Sequence, residues 1–333
     1  MKKKILLLAI CFITIFFTSG CGKNNNVFKK IKDKYDNLKS YTLTGNLEII
    51  NNDDTYKYDV KVSYQKNDKY YVSLKNRDNN HEQIILKNED GVYVLTPSLN
   101  KSFKFQSNWP YNNSQIYLIQ SIIDDIDKDK EKDFVKSKEG YIYTVNVNYP
   151  NNRMLVKQEV KFDKDYNLLG VNVVDENGIS KMKIDFQTID LKPNIDKNTF
   201  DLNRIMENNN VTKEETEKTG TLDTLIYPLY IPTGTVLTNS ETIAKDNGER
   251  VIMTFDGEKP FLLVEETASV LDEFSIIPTS GELYLLIDTV AALSDTSITW
   301  SSNGIDYYLV SDVLSQNELI DIARSVSVIP VIK

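Results

Sequence analysis

The sequence predicts an α+β protein of two modules joined by a polar linker, and three observations carry that reading. Near the start of the mature chain a helical period gives way to repeated runs of period two, the mark of strands with one apolar and one wet face. A polar stretch without any apolar period, 205–220, interrupts those runs. Beyond it Asn and Lys thin out, Leu, Ile, Ser, Thr and Glu rise, and a last helical signal closes the chain. The length agrees, since 333 residues are enough for about two domains of roughly 150 residues each.

The first element is an address. Met1 is followed by Lys2, Lys3 and Lys4, an apolar run over 5–17, and Thr18-Ser19-Gly20-Cys21. A basic start, about a dozen apolar residues and small residues before a cut describe a secretory signal peptide, here 1–20. The run is too short for a bilayer-spanning helix, which needs about 20 residues. The Gly20-Cys21 pair resembles a bacterial lipobox, although Thr18 stands where Leu is usual. That resemblance implies a diacylglyceryl group on Cys21 and attachment to the outer, extracytoplasmic face of the cell membrane, with 21–26 as a lipidated tether. Extended, 22–26 spans at most about 17 Å. Cys11 leaves with the signal and Cys21 becomes a thioether, so no cysteine remains for a disulfide.

The first module is expected over 27–204. Phe28, Ile31, Tyr35 and Leu38 fall at helical spacing between Lys and Asp. Tyr56, Tyr58, Val60, Val62 and Tyr64 then alternate with polar residues, as do Tyr141, Tyr143, Val145, Val147 and Tyr149. Val156 to Phe162 and Met182 to Phe186 repeat the pattern. Asn67-Asp68, Asp90-Gly91, Asp163-Lys164-Asp165 and Asn177-Gly178 punctuate the runs as hairpin turns. One helical interruption stands among them, where Ile116, Ile119, Ile122, Ile123 and Ile126 share a face. In the second module, 221–333, strands are expected at 225–231, 250–255, 261–266 and 282–289. Two more flank the turn Asn303-Gly304, at 298–301 and 307–310. Ser315 and Glu318 form the Ser-x-x-Glu signature of a capped helix whose apolar face is Leu319, Ile322 and Ala323.

Residues 27–202 resemble the LolA/LolB/RseB lipoprotein-carrier superfamily. The ending Ile189-Asp190-Leu191-Lys192-Pro193-Asn194-Ile195-Asp196-Lys197-Asn198-Thr199-Phe200 is similar to that superfamily's closing strand and Pro…Ile-Asp…Phe tail. The lipid-anchored arrangement is similar to spore-former lipoproteins of the YdcC and GerS type. Residues 221–328 resemble a small α/β domain of unknown function, through Tyr227-Pro228 and Ile231-Pro232 near its start and Trp300, Gly304, Tyr307, Leu309, Ser315, Glu318-Leu319, Ile322-Ala323 and Ser325 near its end. The resemblance implies an unclosed antiparallel β-barrel with packed helices, followed by a smaller C-terminal domain. It also implies a non-enzymatic binding or adaptor lipoprotein of sporulation or germination, holding a protein partner such as a cell-wall amidase, or an apolar ligand. An alternative is an RseB-like envelope sensor reporting to a membrane regulator.

The aromatic content points to where binding would occur, with 19 Tyr in the chain and many on alternating strand positions of the first module. On a curved sheet, Tyr58, Val60, Val62, Tyr64, Trp109, Tyr143 and Val145 either pack against the helices at 28–38 and 116–126 or line a groove for an apolar ligand or partner segment. Both can hold at once.

Chemistry is scarce. His81-Glu82 opens like a zinc helix, but Ile85 stands where the second His belongs, and the chain has only one His. Ser-His-Asp catalysis would need that same His81, without any Gly-x-Ser-x-Gly turn. Asp125, Asp127, Asp129, Glu131 and Asp133 imitate the start of a calcium loop. Lys130 and Lys136, however, occupy the positions of its Gly and bidentate Glu. No glycine-rich phosphate loop is present, so no cofactor or metal is expected and no catalytic residue is assigned. The formal charge of −9 argues against a nucleic-acid partner. That charge is unevenly placed. Residues 211–333 hold 20 acids against 7 bases, and 21–210 hold 28 against 29, so the acidity belongs to the second module.

Overall fold

The computed structural model describes residues 21–326 except 52, 53, 151, 153, 209–221, 223–225, 247 and 272. The expected signal peptide, 1–20, and most of the expected linker lie outside the described residues.

Helix α1 (Cys21–Tyr35) is the first described element. Residues 22–26 lie within it and rise about 7.5 Å at 1.5 Å per residue, inside the extended bound of about 17 Å. Strands β1 (Ser40–Asn51), β2 (Asp54–Gln65), β3 (Lys69–Asn76), β4 (Glu82–Asn88), β5 (Gly91–Thr96) and β6 (Lys101–Phe105) follow as an antiparallel meander. Helix α2 (Ile119–Lys128) crosses to a second meander, β7 (Asp133–Lys136), β8 (Gly140–Asn146), β9 (Lys157–Asp163), β10 (Leu168–Val174) and β11 (Ser180–Asp190). β11 then pairs with β1, which joins the two meanders into one sheet. The turns form where the sequence places them: in the three-residue loop 66–68 between β2 and β3, Asn67 and Asp68 both take positive φ, 72° and 61°.

Side chains from strands far apart in the sheet, Val92 and Val94 on β5 and Tyr143 and Val145 on β8, join α1 and α2 in one apolar cluster. The sheet therefore wraps around its helices, yet its two edge strands do not pair and the barrel stays open. Ile31, Ile119, Ile122 and Ile126 are fully buried inside it.

The second sheet has seven antiparallel strands in the order β12-β13-β14-β19-β18-β17-β16. They are β12 (Thr235–Lys245), β13 (Gly248–Gly257), β14 (Phe261–Thr267), β16 (Glu282–Leu285), β17 (Val290–Leu293), β18 (Ser297–Ser302) and β19 (Ile305–Val310). Helix α4 (Gln316–Ser325) packs on one face, and both hydrogen bonds of its capping box form. An antiparallel sheet with one helix is α+β in character, where a small α/β domain was expected.

Strand β15 (Ser275–Thr279) leaves this second sheet and adds to the first, parallel to β6, with Ser275 opposite Lys101 and Thr279 opposite Phe105. Around that junction Lys101 Nζ meets Asp306 Oδ2 at 2.9 Å with both side chains largely buried. Tyr58 donates its hydroxyl to the Ile287 carbonyl at 3.0 Å. Gln83 Oε1 accepts from the Thr289 hydroxyl and the Val290 amide. Leu283, Val290 and Ala292 belong to the first module's core.

Three expectations change. Residues 205–208, expected as linker, form the end of α3 (Leu202–Asn208), whose Leu202, Ile205 and Met206 pack with Phe200 on Ile84, Leu86, Tyr93 and Leu95. The described part of 225–231 is not a strand, because Pro228 and Pro232 cannot donate to a ladder and Tyr227, Leu229 and Tyr230 face water. The run 282–289 breaks after Leu285 into a turn closed by the Leu286 amide on the Thr289 carbonyl at 2.9 Å.

Candidate functional site

The seven residues expected to line a groove do not line one together. Tyr58, Val60, Val62, Trp109, Tyr143 and Val145 are buried and Tyr64 is half-buried, because α1 and α2 fill the concave side of the sheet. Tyr143 stacks edge-on against Phe28 of α1, and Tyr70 meets Trp109 in the same manner. These side chains are core. Trp109 alone among the seven also lines a cleft.

That cleft lies between the modules. Its floor comes from the end of β1 (Ile49, Ile50), the start of β11 (Met182) and Ile85 of β4. Two loops wall it: one carries Trp109 and Asn113 to Tyr117, the other Tyr149, Pro150, Asn152, Met154 and Leu155. The second module closes it with 283–287, Val290 and Arg324 of α4. The cavity within it measures about 80 Å³ and opens to solvent. Of its 24 lining residues, 17 are aliphatic or aromatic, the composition of a site for a largely apolar ligand. Strand propensity made the lining and tertiary structure assembled it, since no two of the contributing segments announce each other in sequence.

The polar groups of the cleft mostly satisfy one another. Asn113 Oδ1 accepts from the Gln115 side chain, Asn152 Oδ1 from the Met154 amide at 3.1 Å, and Ser114 Oγ from the Asn148 amide at 2.9 Å. Lys181 pairs with Asp175 at 3.3 Å. Arg324 donates to the Tyr284 hydroxyl at 2.9 Å and approaches Met154 Sδ at 3.8 Å. Burial pushes the Tyr284 hydroxyl's pKa up, against the pull of Arg324 and Asn152. The sequence reading missed Arg324, because a basic residue in the last turn of a helix is also what the helix dipole favours.

The remaining candidates separate. Asp127 pairs with Lys32 of α1, Asp125 accepts from Gln158, and Asp129 accepts the amides of Glu131 and Asn146, so these carboxylates face different partners. Among the described residues no group of three His, Cys, Asp or Glu is placed to hold a metal. Burial lowers the pKa of His81, and its Nε2 has no partner.

A second surface stands out on the solvent side of the second sheet. Thr254, Leu262 and Val310 form one cross-strand row and Ile252, Val264 and Tyr308 the next. Leu262 is 42% exposed, Tyr308 48%, Val310 40%, and Val236 on the neighbouring β12 62%. Single exposed apolar residues are ordinary, whereas a contiguous row is a recognition feature. At one end of the rows lie Asp256, Glu258 and Asp312, none of them in an ion pair among the described residues. At the other end the acids are neutralised, Glu266 by Lys245 and Arg250, and Asp306 by Lys101.

Residues 1–200 match the family model described as sporulation protein YdcC-like. The chain belongs to the YdcC-like sporulation protein family. It is 33% identical over 327 residues to the sporulation protein YdcC of Bacillus subtilis (strain 168), with 97% of each chain covered, so the YdcC-like relative shares the second module as well as the first. Solved structures superpose only loosely. The Pseudomonas aeruginosa MucA/MucB complex gives a TM-score of 0.34 at 12% identity, covering 90% of this chain and 97% of that one. The LolA superfamily protein NE2245 from Nitrosomonas europaea gives 0.31 at 10%, covering 54% and 98%. The CwlD amidase of Clostridioides difficile in complex with the GerS lipoprotein gives 0.23 at 17%, covering 49% and 92%.

Proposed function

We propose that this YdcC-like protein is a lipid-anchored, non-enzymatic adaptor on the extracytoplasmic face of the membrane, working in sporulation or germination by holding a protein partner. The observation that carries the reading is the exposed apolar face of the second sheet with unpaired acids at one end. Such a face fits a partner whose contact patch is apolar at its centre and basic at its rim, and the charge steers the encounter. A cell-wall amidase and the extracytoplasmic segment of a membrane regulator are the two partner classes the reading admits. The lipobox-like Gly20-Cys21 pair supports the anchor, and the short stretch between Cys21 and Phe28 keeps the body close to the bilayer while the acidic module supplies the recognition surface.

The test is affinity purification from sporulating cells with the full chain, its Cys21→Ala variant and a Leu262→Asp/Val310→Asp variant. Cys21→Ala should move the protein from the membrane to the soluble fraction. A specific partner should be recovered with the unaltered chain, weaken with added salt, and be lost with the sheet-face variant while the fold, read by circular dichroism, is retained. Recovery indifferent to both salt and the sheet-face change would refute the surface, and membrane retention of Cys21→Ala would refute the anchor.

A further inference from the structure

We infer that the cleft between the modules binds an amphiphile with one apolar chain and one anionic head, the head resting on Arg324. The inference goes beyond the adaptor reading and uses a different part of the molecule, so either can fail alone.

Charge carries it first. The chain has 48 acids in 333 residues, a frequency that would put about three in a set of 24, yet none of the 24 residues lining the cleft is Asp or Glu. Two are cations. An acidic protein has excluded its own acids from this apolar cleft and kept two positive charges there.

Hydrogen bonding carries it second. Lys181 is neutralised by Asp175 at 3.3 Å. Arg324 is in no ion pair among the described residues; burial raises the pKa of Asp321, three residues earlier on α4, and the Arg324 charge pulls it down, but the two make no ion pair. The guanidinium offers five N–H donors in a fixed fork, of which the Tyr284 hydroxyl takes one at 2.9 Å and Met154 Sδ is a weak acceptor at 3.8 Å. Asn113 Oδ1, Asn152 Oδ1 and Ser114 Oγ already accept from Gln115, Met154 and Asn148, while Arg324 is the cleft's one charged donor outside an ion pair among the described residues. A carboxylate or phosphate oxygen matches that fork.

Shape carries it third. From Arg324 the lining runs through Leu155, Leu283 and Leu285 to Ile49 and Met182, apolar side chains drawn from both modules. One unpaired cation at one place asks for one head, and an apolar body asks for a chain. A carboxylate from a free fatty acid and a phosphate from a lysolipid share this chemistry.

The experiment uses the mature chain carrying Cys21→Ala, which keeps every residue of the cleft. It is titrated with palmitate, with 1-palmitoyl lysophosphatidic acid, with hexadecanol and with inorganic phosphate, read by tryptophan fluorescence and calorimetry. Both anionic amphiphiles should bind, with hexadecanol at least about tenfold weaker, because hydrogen bonds to charged groups are the strong ones. The tighter of palmitate and lysophosphatidic acid tells a carboxylate source from a phosphate source. Arg324→Gln should cut binding of the anions by about tenfold or more and leave hexadecanol unchanged, Arg324→Lys should restore part of it, and Leu285→Trp should block both anions and alcohol. Three results would overturn the inference: no binding by either anion, equal binding of hexadecanol, or anion binding unmoved by Arg324→Gln and Leu285→Trp. Inorganic phosphate binding as tightly as the amphiphiles would overturn the chain-binding half of it. Should Arg324→Gln fail to fold, the Arg324→Lys and Leu285→Trp arms decide.

Discussion

Glu265 shows how one residue sets a property of the whole second module. It is fully buried on β14, faces Val251 and Tyr307 on its neighbouring strands, and accepts one hydrogen bond, from the Ile226 amide at 3.2 Å. Burial pushes its carboxyl up to about 7, against the pull of that amide. Asp288, also raised by burial, adds to the field at Tyr307, whose own hydroxyl is raised and unpartnered. Since the folded state holds the proton more tightly than the unfolded chain, the stability from Glu265 is complete below about pH 4.5 and is lost as pH rises through about 7. A shift of this size is on the order of 3 kcal/mol. Urea unfolding at pH 4.5 and pH 8 should therefore show Glu265→Gln more stable than the parent at pH 8 and nearly equal to it at pH 4.5. A parent–variant difference that does not change with pH would contradict this. None of this is legible in sequence, where Glu265-Glu266 is an ordinary acidic pair; only the pairing of β14 between β13 and β19 turns one inward and leaves the other with Lys245 and Arg250.

Single elements differ in how plainly they announce themselves. The α4 cap was readable because its chemistry is local: Ser315 accepts from the Glu318 amide, and the Glu318 carboxylate answers the Ser315 amide at 3.0 Å. Ser315→Ala should cost about 1 kcal/mol in thermal or urea unfolding. β2 was equally plain, because one of its faces is wet and the period of two survives. β4 was not. Ile84, Ile85 and Leu86 are all buried, with Ile85 facing α1 and α2 and its two neighbours covered by α3 on the opposite face, so the alternation is erased. The same contact hid α3, whose Ile205 and Met206 look like linker until the sheet face they cover is known.

At the scale of the whole molecule, β15 joins what composition divides. It extends the first sheet from within the second module, and the buried Lys101–Asp306 pair and the Tyr58 and Gln83 hydrogen bonds cross the same junction. The two modules are therefore expected to unfold in one transition, and a chain stopped at residue 220 should be less stable and prone to associate. It would lose β15 from the β6 edge and uncover the apolar wall of the cleft. Calorimetry and size-exclusion chromatography of the two lengths check this; two separate transitions in the full chain would refute it. By itself the sequence determined the α+β class, the charge division of +1 and −13 between 21–210 and 211–333, and the turns and caps, because each follows from neighbours a few residues apart. Only the tertiary structure decided that the aromatic strand residues are core, that the cleft lies between modules, and that Arg324 stands in it without an acid. These depend on contacts between segments one to two hundred residues apart, and no local period records them.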